Sequence, residues 1–299
     1  MKTYKLKFIT PCFCGGASPT VAEIRVPSIR GELRWWFRCL GGSLEQEERI
    51  FGSVRDRPVS SSLLIRVASV GRNSVNYAPT YVKPDDPGNY LHYWLTAPNS
   101  QGKSRMWSKP PDGNGRGSIR EESQVAPGTS FDLVIHRHRL GDDDTETLLT
   151  QSIDCLLNFG CIGFRKTRGF GAWALPPKEL PTRLELQELL DNLPTGFSHK
   201  LAPAANADSL QVLRQVETRL KANKRDETGL RFKHKADDKT PLGYSHGSQR
   251  QASAVRFRPV AFRTNNGAVQ FTLLTFQAPD SVLGEEVRQH RPGATRIPL

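Results

Sequence analysis

Residues 160–171 combine the residue types and spacing that phosphate binding requires. The cations are Arg165, Lys166 and Arg168, and the glycines around them are Gly160, Gly163, Gly169 and Gly171. Glycine lets backbone N–H groups approach a ligand closely because it has no Cβ, and clustered cations favour a polyanion. Neither a Walker loop nor a dinucleotide fingerprint is present, so a nucleic-acid backbone is favoured over a nucleotide. An ordinary solvated turn is the alternative.

A second set of cations follows Ser28, which is predicted to cap a helix. Arg30, Arg34 and Arg38 recur every four residues and therefore share one helix face. Like charges at this spacing repel, and only Glu32 lies nearby to offset them. The stripe predicts an anion-binding face; the alternative is a solvated face paired with acidic residues elsewhere. A neighbouring apolar stripe is predicted to face the core, and it comprises Ile29, Leu33, Phe37 and Leu40.

The histidines and cysteines give weaker signals. His136 and His138 share one face of a predicted strand and suit a metal or a general base. No further ligands follow at suitable spacing, so a structural role is favoured. His246, in a glycine-flanked loop, is the least implausible general base, but the seven scattered histidines are near what chance gives. The five cysteines form no C-x-x-C pair and suit buried thiols, so we expect neither a metal nor a cofactor.

The composition also favours an anionic partner. Lys and Arg number 42 against 30 Asp and Glu, which gives a formal net charge of +12 and a pI of about 9.7. Such an excess favours nucleic acid first and a membrane surface second, against a basic surface that is only solvated. No run of about 18 apolar residues occurs, and residues 1–7 do not begin a signal peptide. We therefore expect a cytoplasmic protein.

The predicted elements place both sets of cations in one α+β unit. Strands are predicted over 3–9, 63–70, 131–139 and 172–175, with helices from Ser28 and from Asp143. The strand over 63–70 is largely apolar and is predicted to be central in its sheet. This β-α-β-β-α-β order is ferredoxin-like, and its four-stranded sheet is a common RNA-binding platform.

A long segment, 71–129, interrupts this unit and is predicted to be an insertion. Its Tyr and Trp residues alternate with cations, which suits stacking on unpaired bases and equally suits a small hydrophobic cluster. We place a domain boundary near residue 177, which gives domains of 1–177 and 178–299.

The second domain is predicted to be a degenerate ferredoxin-like unit. Thr182 and Glu185 form a capping box, and Asp208 begins another helix. A hairpin is predicted over Val255–Arg263 and 268–276, where Asn265, Asn266 and Gly267 fit a type I′ turn.

Several segments resemble the RAMP superfamily of CRISPR proteins, and within it the first subunit of the Cmr (type III-B) effector complex or a close type III relative. They are residues 10–16 (TPCFCGG), 25–38 (RVPSIRGELRWWFR), 48–53 (ERIFGS), the loop 160–171 and residues 250–259 (RQASAVRFRP). The resemblance implies two tandem ferredoxin-like domains. It also implies a non-catalytic subunit that contacts the 3′ part of the guide RNA or of the guide–target duplex.

The residues to which the resemblance and the charge pattern point as RNA contacts fall into three groups. They are Ser28, Arg30, Arg34 and Arg38; the loop residues Gly163, Arg165, Lys166, Arg168, Gly169 and Gly171; and Arg250. The expected partners are guide RNA, target RNA and other type III subunits. Two alternatives remain: a RAMP-type, metal-independent endoribonuclease that processes CRISPR repeat RNA, and a scaffold that binds only protein.

Overall fold

The fold is taken from a computed structural model of the 299-residue chain. The structure describes residues 1–18, 20–54, 58–71, 91, 121–138, 142–194, 196–220, 244–246, 249–251, 253 and 255–279. Most of the predicted insertion, the charged segment 221–239 and the C-terminal residues lie outside this part. Among the described residues, no helix is long and apolar enough to cross a membrane.

The first sheet has four antiparallel strands in the order β2-β3-β1-β4. Their bounds are β1 Lys2–Phe8, β2 Leu63–Gly71, β3 Ser130–Arg137 and β4 Trp173–Ala174. The prediction that the second strand is central was wrong, because β2 pairs with β3 alone among the described strands. Its apolar composition predicts burial on both faces, but its burial alternates: Leu63 and Ile65 are buried, whereas Leu64 and Arg66 are exposed. Only one of its faces therefore packs on the core.

In the part of the chain that the structure describes, three helices accompany this sheet: α1 Val26–Cys39, α2 Leu44–Phe51 and α3 Asp143–Phe159. The prediction that Ser28 caps α1 was wrong, because the helix begins at Val26 with Arg25 at the N-cap and no side-chain cap. Pro27 has a φ fixed near the helical value and occupies the first turn of α1. The helix can therefore begin before Ser28. Asp142 caps α3 by accepting a 2.8 Å hydrogen bond from the backbone N–H of Thr145.

The second sheet has three antiparallel strands in the order β5-β9-β8. Here α4 is Arg183–Asp191, β5 is Ser198–Leu201, α5 is Ser209–Leu220, β8 is Val255–Arg263 and β9 is Val269–Gln277. A separate two-stranded ribbon joins β6 Tyr244–His246 to β7 Gln249–Gln251. The predicted capping box is confirmed, since Thr182 and Glu185 exchange hydrogen bonds at the start of α4. The molecule is thus a mixed α and β protein built on antiparallel sheets.

The predicted hairpin is confirmed, but its turn type was wrong. Thr264 donates a hydrogen bond to the carbonyl of Ala268 (2.9 Å), so the loop has three residues. A type I′ turn needs positive φ at two adjacent residues, whereas Gly267 alone has it here (φ 82°). Three-residue loops combine a type I turn with one left-handed residue, and Gly267 supplies that residue.

One hydrophobic core crosses the predicted boundary at residue 177. Trp36 of α1 is fully buried and stacks on Phe276 of β9, with ring centroids 5.6 Å apart. Its ring also lies 6.0 Å from Phe159 of α3 and 6.2 Å from Phe197, which precedes β5. The sheet residues Leu6 and Leu133 belong to the same cluster. Both halves of the sequence therefore pack around α1.

Candidate nucleic-acid interface

A cleft of about 470 Å³ lies between α1, α2 and the segment before β2. We call it the arginine cleft because Arg30, Arg34 and Arg38 line it. Its other lining residues are Leu44, Glu47, Glu48, Phe51, Gly52, Ser53, Val54, Val59 and Ser61. The structure thus brings the predicted stripe together on one open surface.

Glu47 of α2 joins two of the arginines. Both Nε and Nη2 of Arg34 donate to its Oε1, at 2.8 and 2.5 Å, and Arg38 contacts both carboxylate oxygens. Burial raises the pKa of Glu47, but the hydrogen bonds from Arg38 and Arg34 outweigh it and leave the pKa lowered. The alternative of acidic partners elsewhere in the fold is therefore partly realised. The side chains of Arg34 and Arg38 nevertheless stay 35% and 51% exposed.

Arg30 has a different role from the other two arginines. Its Nη1 donates to the carbonyl of Phe51 (3.1 Å) and its Nη2 to that of Leu63 (2.8 Å). Burial and the charge of Arg34 both lower its pKa. Arg30 thus ties α1 to the end of α2 and the start of β2, and Arg38 is the arginine most open to a ligand.

The glycines of the loop 160–171 are required by contacts within the protein. Gly163, Gly169 and Gly171 have φ of 89°, 89° and 68°. Residues that carry a side chain rarely adopt this backbone conformation. A Cβ on Gly171 would lie 1.9 Å from the carbonyl oxygen of Ile162, and one on Gly163 would lie 2.7 Å from that of Phe13. These glycines therefore serve close chain packing, and ligand approach is not needed to explain them.

The loop cations are half-buried, and Arg168 and Lys166 contact groups inside the protein. Arg168 lies over the ring of Phe257, 5.7 Å from its centroid, and its Nη1 is 3.4 Å from Ser253 Oγ. Lys166 donates to Glu32 at 2.8 Å and keeps 33% of its side chain exposed. Arg165 has positive φ (57°) and is neither buried nor fully exposed.

Glu32 is the centre of a buried cluster that sequence reasoning missed. Besides Lys166, its carboxylate accepts from Arg256 (3.4 Å) and Arg258 (3.3 Å) of β8, and it is fully buried. Burial raises the pKa of Glu32, but the charges of Arg256, Lys166 and Arg258 outweigh it and leave the pKa lowered. Cys161 Sγ lies 3.9 Å away, and burial raises its pKa to about 12.

The two predicted halves of the site lie on opposite sides of α1. Glu32 and its neighbours Arg30 and Arg34 are separated by about 160° around the helix, at about 100° per residue. The arginines face the cleft with α2, whereas Glu32 faces the loop and β8. The structure therefore supports two separate basic surfaces. Helical spacing alone signals that Glu32 faces away from the stripe; nothing local signals its partners.

None of the remaining predicted residues is among the described residues that line the arginine cleft. Ser28 Oγ is 3.4 Å from Cys14 Sγ on the loop side of α1. Arg250 lies on β7, where its backbone pairs with Ser245, and its side chain is outside the description. His136 and His138 lie together with ring centroids 5.0 Å apart. Among the described residues, no group of three or more His, Cys, Asp or Glu is arranged to hold a metal.

The chain belongs to the RAMP superfamily, which residues 5–173 match. This range runs from within β1 to the first residue of β4 and covers more than half of the chain. Two relatives come from Pyrococcus furiosus. The Cmr subunit Cmr1-1 is 29% identical over 159 residues (50% of this chain, 40% of the relative), and Cmr1-2 is 40% identical over 185 residues (56% and 91%).

The crystal structure of Cmr1 from Pyrococcus furiosus in its apo form is similar with a TM-score of 0.53. The two chains are 20% identical, and the match covers 92% of this chain and 87% of that chain. This similarity shows the fold alone. Together these relatives identify a Cmr-type RAMP protein of the type III CRISPR systems. The chain spans less than half of Cmr1-1 and most of Cmr1-2.

Proposed function

We propose that this protein is a non-catalytic, RNA-binding subunit of a type III CRISPR effector complex in antiviral defence. Its partners are guide RNA, target RNA and other Cmr-like subunits, and it contacts the 3′ part of the guide or of the guide–target duplex. The observation that carries the proposal is the arginine cleft, where two half-exposed guanidiniums are held in place by one buried carboxylate. Fixed guanidiniums lose less entropy when they bind a phosphate than free ones do.

The charge of the molecule supports the same partner. Three arginines and two glutamates, Glu47 and Glu48, line the cleft, and the whole chain carries +12. Cations that neutralise phosphates release counterions, so affinity falls steeply with salt and does not depend on base sequence. Pairing between guide and target would read the sequence.

The loop 160–171 is a second contact in this proposal. Arg165, Lys166 and Arg168 are half-buried on one turn whose shape the glycines maintain, so their donors are pre-positioned. We also propose that the two halves are tandem ferredoxin-like units with an insertion over 71–129. The strand order β2-β3-β1-β4 supports this for the first half.

Titration of labelled guide RNA, alone and paired with target, tests the proposal. We expect Arg38→Ala to weaken binding and to lower the salt slope by about one, the loss of one phosphate contact. Arg38 is preferred over Arg30, since Arg30 binds two backbone carbonyls. Arg49→Ala is the matched control, because Arg49 pairs with Asp142 on another side of α2. Equal binding by the wild type and Arg38→Ala would show that the arginine cleft does not contact the RNA.

A RAMP-type endoribonuclease is the second candidate, and one observation favours it. The backbone N–H of His138 donates to the carbonyl of Ser62 (3.1 Å), next to Ser61 of the arginine cleft. Metal-independent cleavage needs a base beside cations near the scissile phosphate. Incubation with labelled repeat RNA distinguishes the candidates: discrete cleavage that is lost in His138→Ala or His246→Ala supports the enzyme, and retention without cleavage supports the binding subunit.

A further inference from the structure

In the described part of the chain, one face of the first sheet carries exposed side chains and lies apart from the lining of the arginine cleft. Along β1, Tyr4, Leu6 and Phe8 point to the core, whereas the side chains that alternate with them point away from the helices. On β2, Leu64 and Arg66 are exposed in the same way. The helices α1 and α3 share the core cluster with the inward residues, so they cover the opposite face.

Two imidazoles and an exposed leucine form a platform on this face. The rings of His136 and His138 lie 5.0 Å apart at an interplanar angle of 79°. Leu64 pairs with His136 across the β2–β3 ladder and is 63% exposed. We call these three residues the histidine platform. Imidazole is one of the aromatic surfaces on which unpaired RNA bases stack.

Cations flank the platform on the same face. Arg66 lies two residues along β2 from Leu64, and Lys5 and Lys7 are exposed on β1. Asp132 lies opposite Lys5 in the ladder and offsets one of these charges. Arg66 lies opposite Val134, two residues from His136, and so borders the platform, whereas Lys5 and Lys7 lie opposite Asp132 and Ser130, about 13 and 20 Å farther along the same face.

The platform adjoins the arginine cleft. Arg30 of the cleft donates to the carbonyl of Leu63, and His138 donates to that of Ser62. The four residues from Ser61 to Leu64 therefore run from the cleft to the platform. A strand of RNA that leaves the cleft along this segment reaches the imidazoles next.

We infer that this open face is a second RNA contact, in which unpaired bases stack on the histidine platform while Arg66, Lys5 and Lys7 bind phosphates. The choice of RNA as the ligand rests on the proposed function. A protein partner fits less well, because the exposed apolar residues of β2, Leu64 and Val70, are separated by Arg66, and interface cores are contiguous and depleted of charge.

The surroundings of the imidazoles favour stacking over proton transfer. Within the described ranges, His136 Nδ1 is buried and has no hydrogen-bond partner, whereas a general base is held by an orienting group. An imidazole that serves as a stacking surface needs no such partner.

Binding of the full chain to single-stranded RNA and to the same sequence fully paired tests the inference at about pH 8, where imidazole is ordinarily neutral. We expect His136→Ala/His138→Ala to weaken single-strand binding about fivefold or more, the loss of one stacked base. Duplex binding should change less, since paired bases cannot stack on protein rings. His138→Phe should keep the wild-type affinity, because phenylalanine also stacks on bases.

His199→Ala is the matched control, because His199 contacts Asp191 in the second half of the chain. Unchanged single-strand binding by the double variant, with tight binding by the wild type, would overturn the inference and leave the proposed function intact. Absence of RNA binding by the wild type would overturn both. RNA cleavage that the double variant loses would also overturn it, in favour of the endoribonuclease.

Discussion

Glu32 is a carboxylate that stays ionised in the core because three cations surround it. Isolated charges are costly to bury, and Glu32 offsets this cost by contacting Lys166, Arg256 and Arg258. Arg258 is itself fully buried and donates to the carbonyl of Phe159 (2.9 Å). Removal of the single anion would leave these cations close together with no counter-charge.

We therefore predict that Glu32→Gln destabilises the protein by about 3 to 5 kcal/mol, the usual cost of breaking a buried ion pair. Urea unfolding followed by tryptophan fluorescence measures it. The pKa of Glu32 is lowered on folding, so its contribution is present above the ordinary value near 4.3 and is lost as the pH falls below it. The loss of stability in acid should accordingly be smaller in Glu32→Gln than in the wild type.

Glu179→Gln is the control for this change, because Glu179 is exposed and its side chain contacts none of these cations. A variant Glu32→Gln as stable as this control would show that the cluster carries no stability.

At the residue scale, sequence reasoning located the cations but not their partners. The recurrence of Arg30, Arg34 and Arg38 correctly predicted a shared face. Glu47, which binds two of them, lies on the next helix at the same end of the chain. The contacts of Glu32 depend on how distant segments pack, and no local pattern encodes that.

At the scale of elements, the loop 160–171 is a rigid connection between α3 and β4. Gly171 donates a backbone hydrogen bond to the carbonyl of Pro11 (2.8 Å), and Phe164 donates one to that of Phe13 (2.7 Å). Arg168 forms a parallel β-bridge with Phe257 of β8. The loop thus joins the segment after β1 to the second sheet, and its shape depends on its glycines.

Two glycine substitutions should have opposite effects on stability. Gly171→Ala should destabilise the protein by more than about 1 kcal/mol, because positive φ and a clash with Ile162 act together. Gly31→Ala should stabilise it by up to about 1 kcal/mol, since Gly31 is an exposed position of α1 with free space around it. Thermal unfolding of both variants measures the difference. Equal melting temperatures would mean that the loop tolerates a side chain at Gly171.

Elements with strong periodicity were predicted well, and positions set by other segments were not. The helix α3 and the hairpin of β8 and β9 follow from a helix-start signal, apolar spacing and a turn signal. The edge position of β2 and the loop type at Gly267 depend on pairing and on loop length, which composition does not fix.

At the scale of the whole molecule, the halves on either side of residue 177 share one core. Trp36 contacts Phe276 and Phe197 from the second half, and Leu186 and Val260 belong to the same cluster. The prediction of two domains was made from prolines and composition, which indicate a connection but not whether the cores on its two sides are separate.

A chain that ends at residue 177 should therefore not fold stably alone. It would lose two aromatic partners of Trp36, Phe276 and Phe197, and both arginines that contact Glu32. Apolar surface would then be exposed, and the charges around Glu32 would be unbalanced. For residues 1–177 we expect poorly dispersed chemical shifts of the tryptophan indole protons and binding of a hydrophobic dye. For the full chain we expect a single unfolding transition. A cooperative melting transition of residues 1–177 would show that they form an independent unit.

The contacts of Glu32 also bear on the order in which the chain folds. They span 134, 224 and 226 residues of sequence. Contacts between such distant residues close long loops and form slowly. During synthesis, α1 leaves the ribosome long before β8 is made. The face of α1 that carries Glu32 therefore lacks its partners from β8 until then. Nascent chains are then exposed to misassembly until β8 and β9 are synthesised, and this hairpin completes the contacts of Glu32.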